Sequence, residues 1–246
     1  MLSYIELKQT HSSACLRRGW AGLCRACSNP FVELLLVTIA AVCMIRVLNS
    51  VLSGYAGLLV IPVILTGAAL VPTLIRGDKI TAVGLHPRRL RYSLLLLSLT
   101  CLTVFPVVWG GLWLLAVIGT KPPILPFVVG GQWLSWVLYQ FFYVAFAEEI
   151  FFRGYIVSRL LQWRPPLARQ RPRVWHAIII IISAAVFALA HIILLQNILS
   201  VLTFFPGLIL GWLFIRTQSL VAPILFHALA NIFYALVAAG IFVSFR

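Results

Sequence analysis

Seven stretches of this chain are so apolar that only a lipid bilayer accommodates them together. They run roughly over 31–51, 55–75, 92–118, 127–147 continuing into 148–162, 175–195, 198–216 and 220–243. About 20 apolar residues cross a hydrocarbon core as a helix. Inside lipid every backbone N–H and C=O must be satisfied within the protein, which leaves helices or closed barrels. Long apolar runs without alternation select helices. The expected fold is therefore all-α: a polytopic integral membrane bundle of about seven (seven to eight) transmembrane helices. Composition supports this. Hydrophobic residues make up 62% of the 246 residues and charged residues 10%, against about a quarter charged in a soluble domain. A soluble enzyme, a disordered chain and a disulfide scaffold are poor fits. The five cysteines, Cys15, Cys24, Cys27, Cys43 and Cys101, are odd in number, and two lie in apolar runs. Reduced thiols are the simpler reading.

Charge sets the topology. The net charge of +14 does not require nucleic acid, because basic residues collect on one side of a bilayer. With the N-terminus inside, fifteen of the nineteen Lys and Arg residues fall in inner segments. These are Lys8, Arg17, Arg18 and Arg25; Arg76, Lys79, Arg88, Arg89 and Arg91; Arg159, Arg164, Arg169, Arg171 and Arg173; and Arg216. An odd number of spans then puts the C-terminus outside. No cleaved signal peptide is expected, since no apolar region precedes Phe31. The chain reads as a basic cytoplasmic tail over 1–29, N-terminal membrane helices over 30–126 and a functional core over 127–246. The tail holds His11, Cys15, Cys24 and Cys27, whose spacing fits no common zinc finger.

The five carboxylates are Glu6, Glu33, Asp78, Glu148 and Glu149. The last two are adjacent inside a long apolar stretch, where a carboxylate costs most, and ionisable groups within a membrane point to function. Glu149 and Arg153 stand four apart with the acid first, the favoured order for a helical ion pair. Glu148 points about 100° away and has no such partner. Phe187 shares a helix face with His191, and His227 shares one with Asn231. Each histidine alone is more often a packing residue than a reacting one. Three polar clusters on three apolar helices, however, satisfy one another only by converging on an internal cavity. Counted from the span ends, His191 and His227 differ in depth by about 15 Å before tilt, an offset that convergence has to absorb.

In this arrangement the sequence resembles the CPBP family, the CAAX proteases and bacteriocin-processing enzymes. These are polytopic intramembrane endopeptidases that include the type II CAAX prenyl endopeptidases. The resemblance rests on Glu148-Glu149-x-x-x-Arg153, Phe187-x-x-x-His191 and His227-x-x-x-Asn231, in order and on separate helices. Gly154, Trp175, Gly207-x-x-x-Gly211 and Pro223 agree with it. It covers roughly 127–240.

The resemblance implies a peptide hydrolase in which Glu148 activates a water, His191 helps to hold that water, and His227 and Asn231 polarise the scissile carbonyl. Glu149, Arg153 and Phe187 would orient the site. No cofactor is certain. Glu148, His191 and His227 would be the ligands if zinc is used. The implied partners are the lipid bilayer and a protein or peptide substrate, either lipidated or carrying a C-terminal sorting signal, with no nucleic acid. The compact chain suggests a bacterial source, so the expected location is a bacterial inner (plasma) membrane. Two other readings compete: a non-catalytic immunity or scaffold protein, and an ion- or proton-coupled transporter.

Overall fold

A computed structural model of the chain describes residues 30–52, 54–86, 89–119, 132–163 and 165–244. The tail histidine and cysteines, Glu6, Arg88, Lys121 and Arg164 lie outside the described residues. Every regular element among the described residues is helical. Helix α1 spans Pro30–Val51 and α2 Gly54–Ile75; a 3₁₀ turn covers Ile80–Val83, and α3 spans Leu90–Val117. A continuous helix, α4, runs over 133–162. The short α5 (Pro166–Gln170) leads into α6, Pro172–Leu195. A 3₁₀ turn, Ile198–Thr203, then runs straight into α7 (Phe204–Thr217), and α8 spans Val221–Ser244. The seven long segments coincide with the seven apolar stretches. Five of them, α1, α3, α6, the 198–217 segment and α8, are long and apolar enough to cross a membrane by themselves.

Local chemistry sets the ends. Pro30 and Pro172 open α1 and α6, where a missing backbone N–H costs nothing. Gly77, at φ 80°, follows α2, where its N–H and that of Asp78 reach back to the carbonyls of Leu74 and Thr73. Gln196 and Gln218 adopt the left-handed conformation at the ends of α6 and α7.

α4 is the axis of the molecule. Its residues Ile150–Val157 are buried without exception, with α2, α6 and α7 packed on that segment. Helix α3 lies outside, against α8 and α7. It leaves Leu95, Leu99, Leu102, Val107, Trp109 and Trp113 exposed, as a lipid-facing helix should.

α4 is not a regular α-helix. It passes through two π-helical segments, Gln140–Ala145 and Ile150–Val157, around the α-helical Phe146–Glu149. Such widened turns free backbone groups and occur mostly at functional positions. One freed group is matched across the bundle, where Ser183 Oγ on α6 donates to the Phe152 carbonyl at 3.2 Å.

The helices are staggered, and this removes the depth offset between the histidines. A Cβ on Gly154 would lie 2.8 Å from the Val83 carbonyl oxygen and 3.4 Å from Leu220. The Ile80–Val83 turn and the start of α8 therefore sit level with Gly154 in the second half of α4, which continues for about two further turns. Leu220 N–H donates to the Gly84 carbonyl at 3.1 Å and Ser219 Oγ to that of His86 at 2.8 Å, tying this turn to the α7–α8 corner.

Beyond that level a second polar cluster joins α1, α2 and α4. Glu33 accepts hydrogen bonds from Arg76, from the Tyr155 hydroxyl at 2.8 Å, and from Arg159 Nε and Nη2 at 3.1 and 3.0 Å. Arg76 also pairs with Asp78 at 3.2 Å. Arg76 and Arg159, expected as loop charges that only set topology, thus also hold three helices together.

Candidate active site

Glu148 and Glu149 lie in the α-helical turn between the two π segments. Their side chains go to different places. Glu149 and Arg153 are both fully buried, and Arg153 Nη1 donates to Glu149 Oε1 at 2.7 Å. The expected pair is present. It is not isolated, because His227 Nδ1 donates to the same oxygen at 2.8 Å. Arg153 Nη2 also donates to the Gly207 carbonyl at 3.3 Å. α7 comes this close because a Cβ on Gly207 would meet the Cα and Cβ of Ala184 at 3.1 Å. The buried guanidinium is thus held by a carboxylate and a carbonyl, as a charge in a low-dielectric interior requires.

Glu148 Oε2 lies 3.8 Å from His191 Nε2 and 3.8 Å from His227 Nε2. The structure therefore brings the three polar clusters of α4, α6 and α8 together. Both rings are fixed at their other nitrogen. His191 Nδ1 donates to the Phe187 carbonyl at 3.0 Å, one turn back on α6. His227 Nδ1 donates to Glu149. Since each Nδ1 carries the proton, each neutral ring turns a lone pair at Nε2 toward Glu148. Glu148 Oε2 itself has no hydrogen-bond partner among the described residues.

Phe187 is the packing centre of the site. Its ring lies 4.3 Å from that of His191 at a 50° tilt, meets His227 edge-on at 5.8 Å and Phe152 edge-on at 5.0 Å, and lies under the Arg153 guanidinium at 4.4 Å. It therefore fixes both histidines and accepts part of the arginine's charge on its face. Asn231, one turn beyond His227 on α8, donates from Nδ2 to Gln140 Oε1 at 2.8 Å. Gln140, on the first π segment, is a site residue that no sequence motif singled out.

The donor set of Glu148, His191 and His227 is chemically suited to zinc, and a ligating histidine normally donates its second nitrogen as both do here. Among the described residues no three His, Cys, Asp or Glu side chains are placed to hold a metal ion.

Residues 130–233 match the family model described as type II CAAX prenyl endopeptidase, Rce1-like. Over this segment the chain is similar to the CAAX protease family. The match spans Gln140, Glu148, Glu149, Arg153, Phe187, His191, His227 and Asn231. No curated protein and no solved structure matches the chain. The match supports a protease of CAAX type that sits in the bilayer and acts on peptide substrates. Five long apolar helices agree with an integral multi-pass membrane protein.

Proposed function

We propose that this chain is an intramembrane endopeptidase that hydrolyses a peptide bond near the C-terminus of a membrane-associated substrate, using a water activated by Glu148. One observation carries the reading: a carboxylate oxygen without a hydrogen-bond partner among the described residues lies 3.8 Å from two imidazole nitrogens inside an apolar bundle. This gap is too long for a direct hydrogen bond and short enough for one water to touch all three atoms.

Such a water donates one hydrogen to Glu148 and the other to the His191 Nε2 lone pair, leaving an oxygen lone pair for attack on the scissile carbonyl. Glu148 takes the proton as the water adds. The negative charge developing on the carbonyl oxygen is met by His227 and Asn231. Glu149 behind His227 supports positive charge on that ring, much as the buried aspartate of a serine protease supports its histidine. In this scheme His227 enters the reaction as the imidazolium, held at Nδ1 by Glu149, and its Nε2–H donates a hydrogen bond to the oxyanion while keeping its proton. Glu148 passes its proton to the leaving amine, and the peptide bond breaks. No metal enters this scheme.

The substrate class is a C-terminal CAAX-type segment, with a sorting signal or peptide precursor as the alternative of the same kind. The basic inner segments support a cytoplasmic N-terminus. Residues 127–246 form the catalytic core in this reading, and α1 and α2 brace α4 through Glu33. The test is cleavage of an internally quenched farnesylated peptide ending in a CAAX tetrapeptide by the full chain in liposomes. The wild type should cleave it, and Glu148→Ala, His191→Ala and His227→Ala should insert normally without cleaving. Undiminished cleavage by Glu148→Ala would refute the assignment.

A further inference from the structure

Asn231 is held in place by a residue from outside the recognised motifs. Its Nδ2 donates to Gln140 Oε1 at 2.8 Å, across the contact between α8 and the first π segment of α4. An amide in an otherwise apolar span is costly unless it is bonded, so a glutamine at this place calls for a partner. Gln140 reaches one because of the backbone. On an uninterrupted α-helix it would stand about 80° around the axis from Glu148. The π segment that begins at Gln140 takes up extra residues per turn and resets that phase.

The bond has a chemical consequence. An asparagine amide presents either N–H or C=O toward a substrate, and the two ends have nearly the same shape. Only the N–H end stabilises an oxyanion, and the C=O end would repel it. With Gln140 Oε1 beside it, Asn231 turns its nitrogen to that side; flipping Asn231 alone would set two carbonyl oxygens against each other, so the orientation reverses only if both amides turn together. One N–H of Nδ2 goes to Gln140 and the second remains for substrate.

We propose that Gln140 is a positioning residue of the proteolytic site, holding the Asn231 amide in the orientation that donates to the oxyanion. This rests on the protease reading above. Gln140 does not touch the reacting atoms and acts only through Asn231. Its removal should therefore lower kcat and leave KM unchanged, because the contact matters in the transition state rather than in substrate binding.

The experiment uses the full chain in liposomes with the quenched farnesylated peptide. Gln140→Met keeps length without an acceptor, and Gln140→Glu keeps the acceptor oxygen. Gln140→Met should reduce kcat about tenfold or more, as expected for a mis-set catalytic group, with KM unchanged and the melting temperature close to wild type. Gln140→Glu should recover most of the loss. In an Asn231→Ala background Gln140→Met should have no further effect, since coupled residues are not additive. Should the methionine variant fail to fold, Gln140→Asn, which withdraws the same amide by one methylene, gives the same comparison. Full kcat in Gln140→Met, or independent multiplicative losses in the double variant, would overturn the proposal. Retained activity in Glu148→Gln would instead sink the protease reading, so the two failures are distinguishable.

Discussion

Neighbouring glutamates should give opposite phenotypes when each is changed to glutamine. Glu148→Gln keeps volume and removes the base. A positioned general base contributes about 10²- to 10⁴-fold, which is about 3–5 kcal/mol of barrier at 1.36 kcal/mol per tenfold. Its Oε2 accepts no hydrogen bond from the described residues, so stability should stay within about 0.5 kcal/mol of wild type. Glu149→Gln acts on the other quantity. It takes the carboxylate from Arg153, which has no solvent exposure to fall back on, and from His227. Orphaning one partner of a buried ion pair costs about 3–5 kcal/mol. Adding Arg153→Met removes the stranded cation and should recover much of that loss, while activity stays low because His227 has lost its support. Peptide cleavage and thermal unfolding in detergent, measured on all four proteins, test both halves. The reasoning fails if Glu148→Gln turns over normally, if Glu149→Gln melts like wild type, or if Arg153→Met added to Glu149→Gln destabilises further.

Other consequences concern the metal question and the brace around α4. Chelation followed by dialysis should leave peptide cleavage unchanged; loss of activity restored by zinc would reassign Glu148, His191 and His227 as ligands. Gly154→Ala puts a Cβ 2.8 Å from the Val83 carbonyl oxygen, in a turn tied down through Gly84 and His86. Its unfolding free energy should drop by about 1–3 kcal/mol, and a wild-type melting curve would show that the turn yields freely. Glu33→Gln weakens a half-buried group that serves Arg76, Tyr155 and Arg159. We expect a loss of about 2 kcal/mol with kcat per folded molecule unchanged; a kcat effect at full stability would instead tie this cluster to catalysis.

What was legible in the chain followed how local each interaction is. Glu149 and Arg153 are four residues apart, so their pairing follows from helix geometry alone. The convergence of Glu148, His191 and His227 was legible as a requirement, because isolated polar groups in apolar helices have nowhere else to go. Its depth was not legible, since each span was counted from its own end and the stagger of α8 against α4 is a packing property. Glu33 illustrates the same limit: its partners lie 43, 122 and 126 residues away, and two of them look like ordinary loop charges. The second bond of Glu149, to His227, lies 78 residues away and was equally invisible.

The chain by itself therefore determined the solvent, the helical class, the number of long helices and the chemical groups that must meet. These depend on hydropathy and on side-chain chemistry, which are properties of residues and short windows. Tertiary structure alone decided that one carboxylate serves Arg153 and His227 while its neighbour stands free between two imidazoles, and that Gln140 reaches Asn231. Those outcomes depend on helix phase and stagger. Two π segments and a glycine-allowed contact at Gly154 set both, and periodicity in a sequence carries no record of where a helix widens.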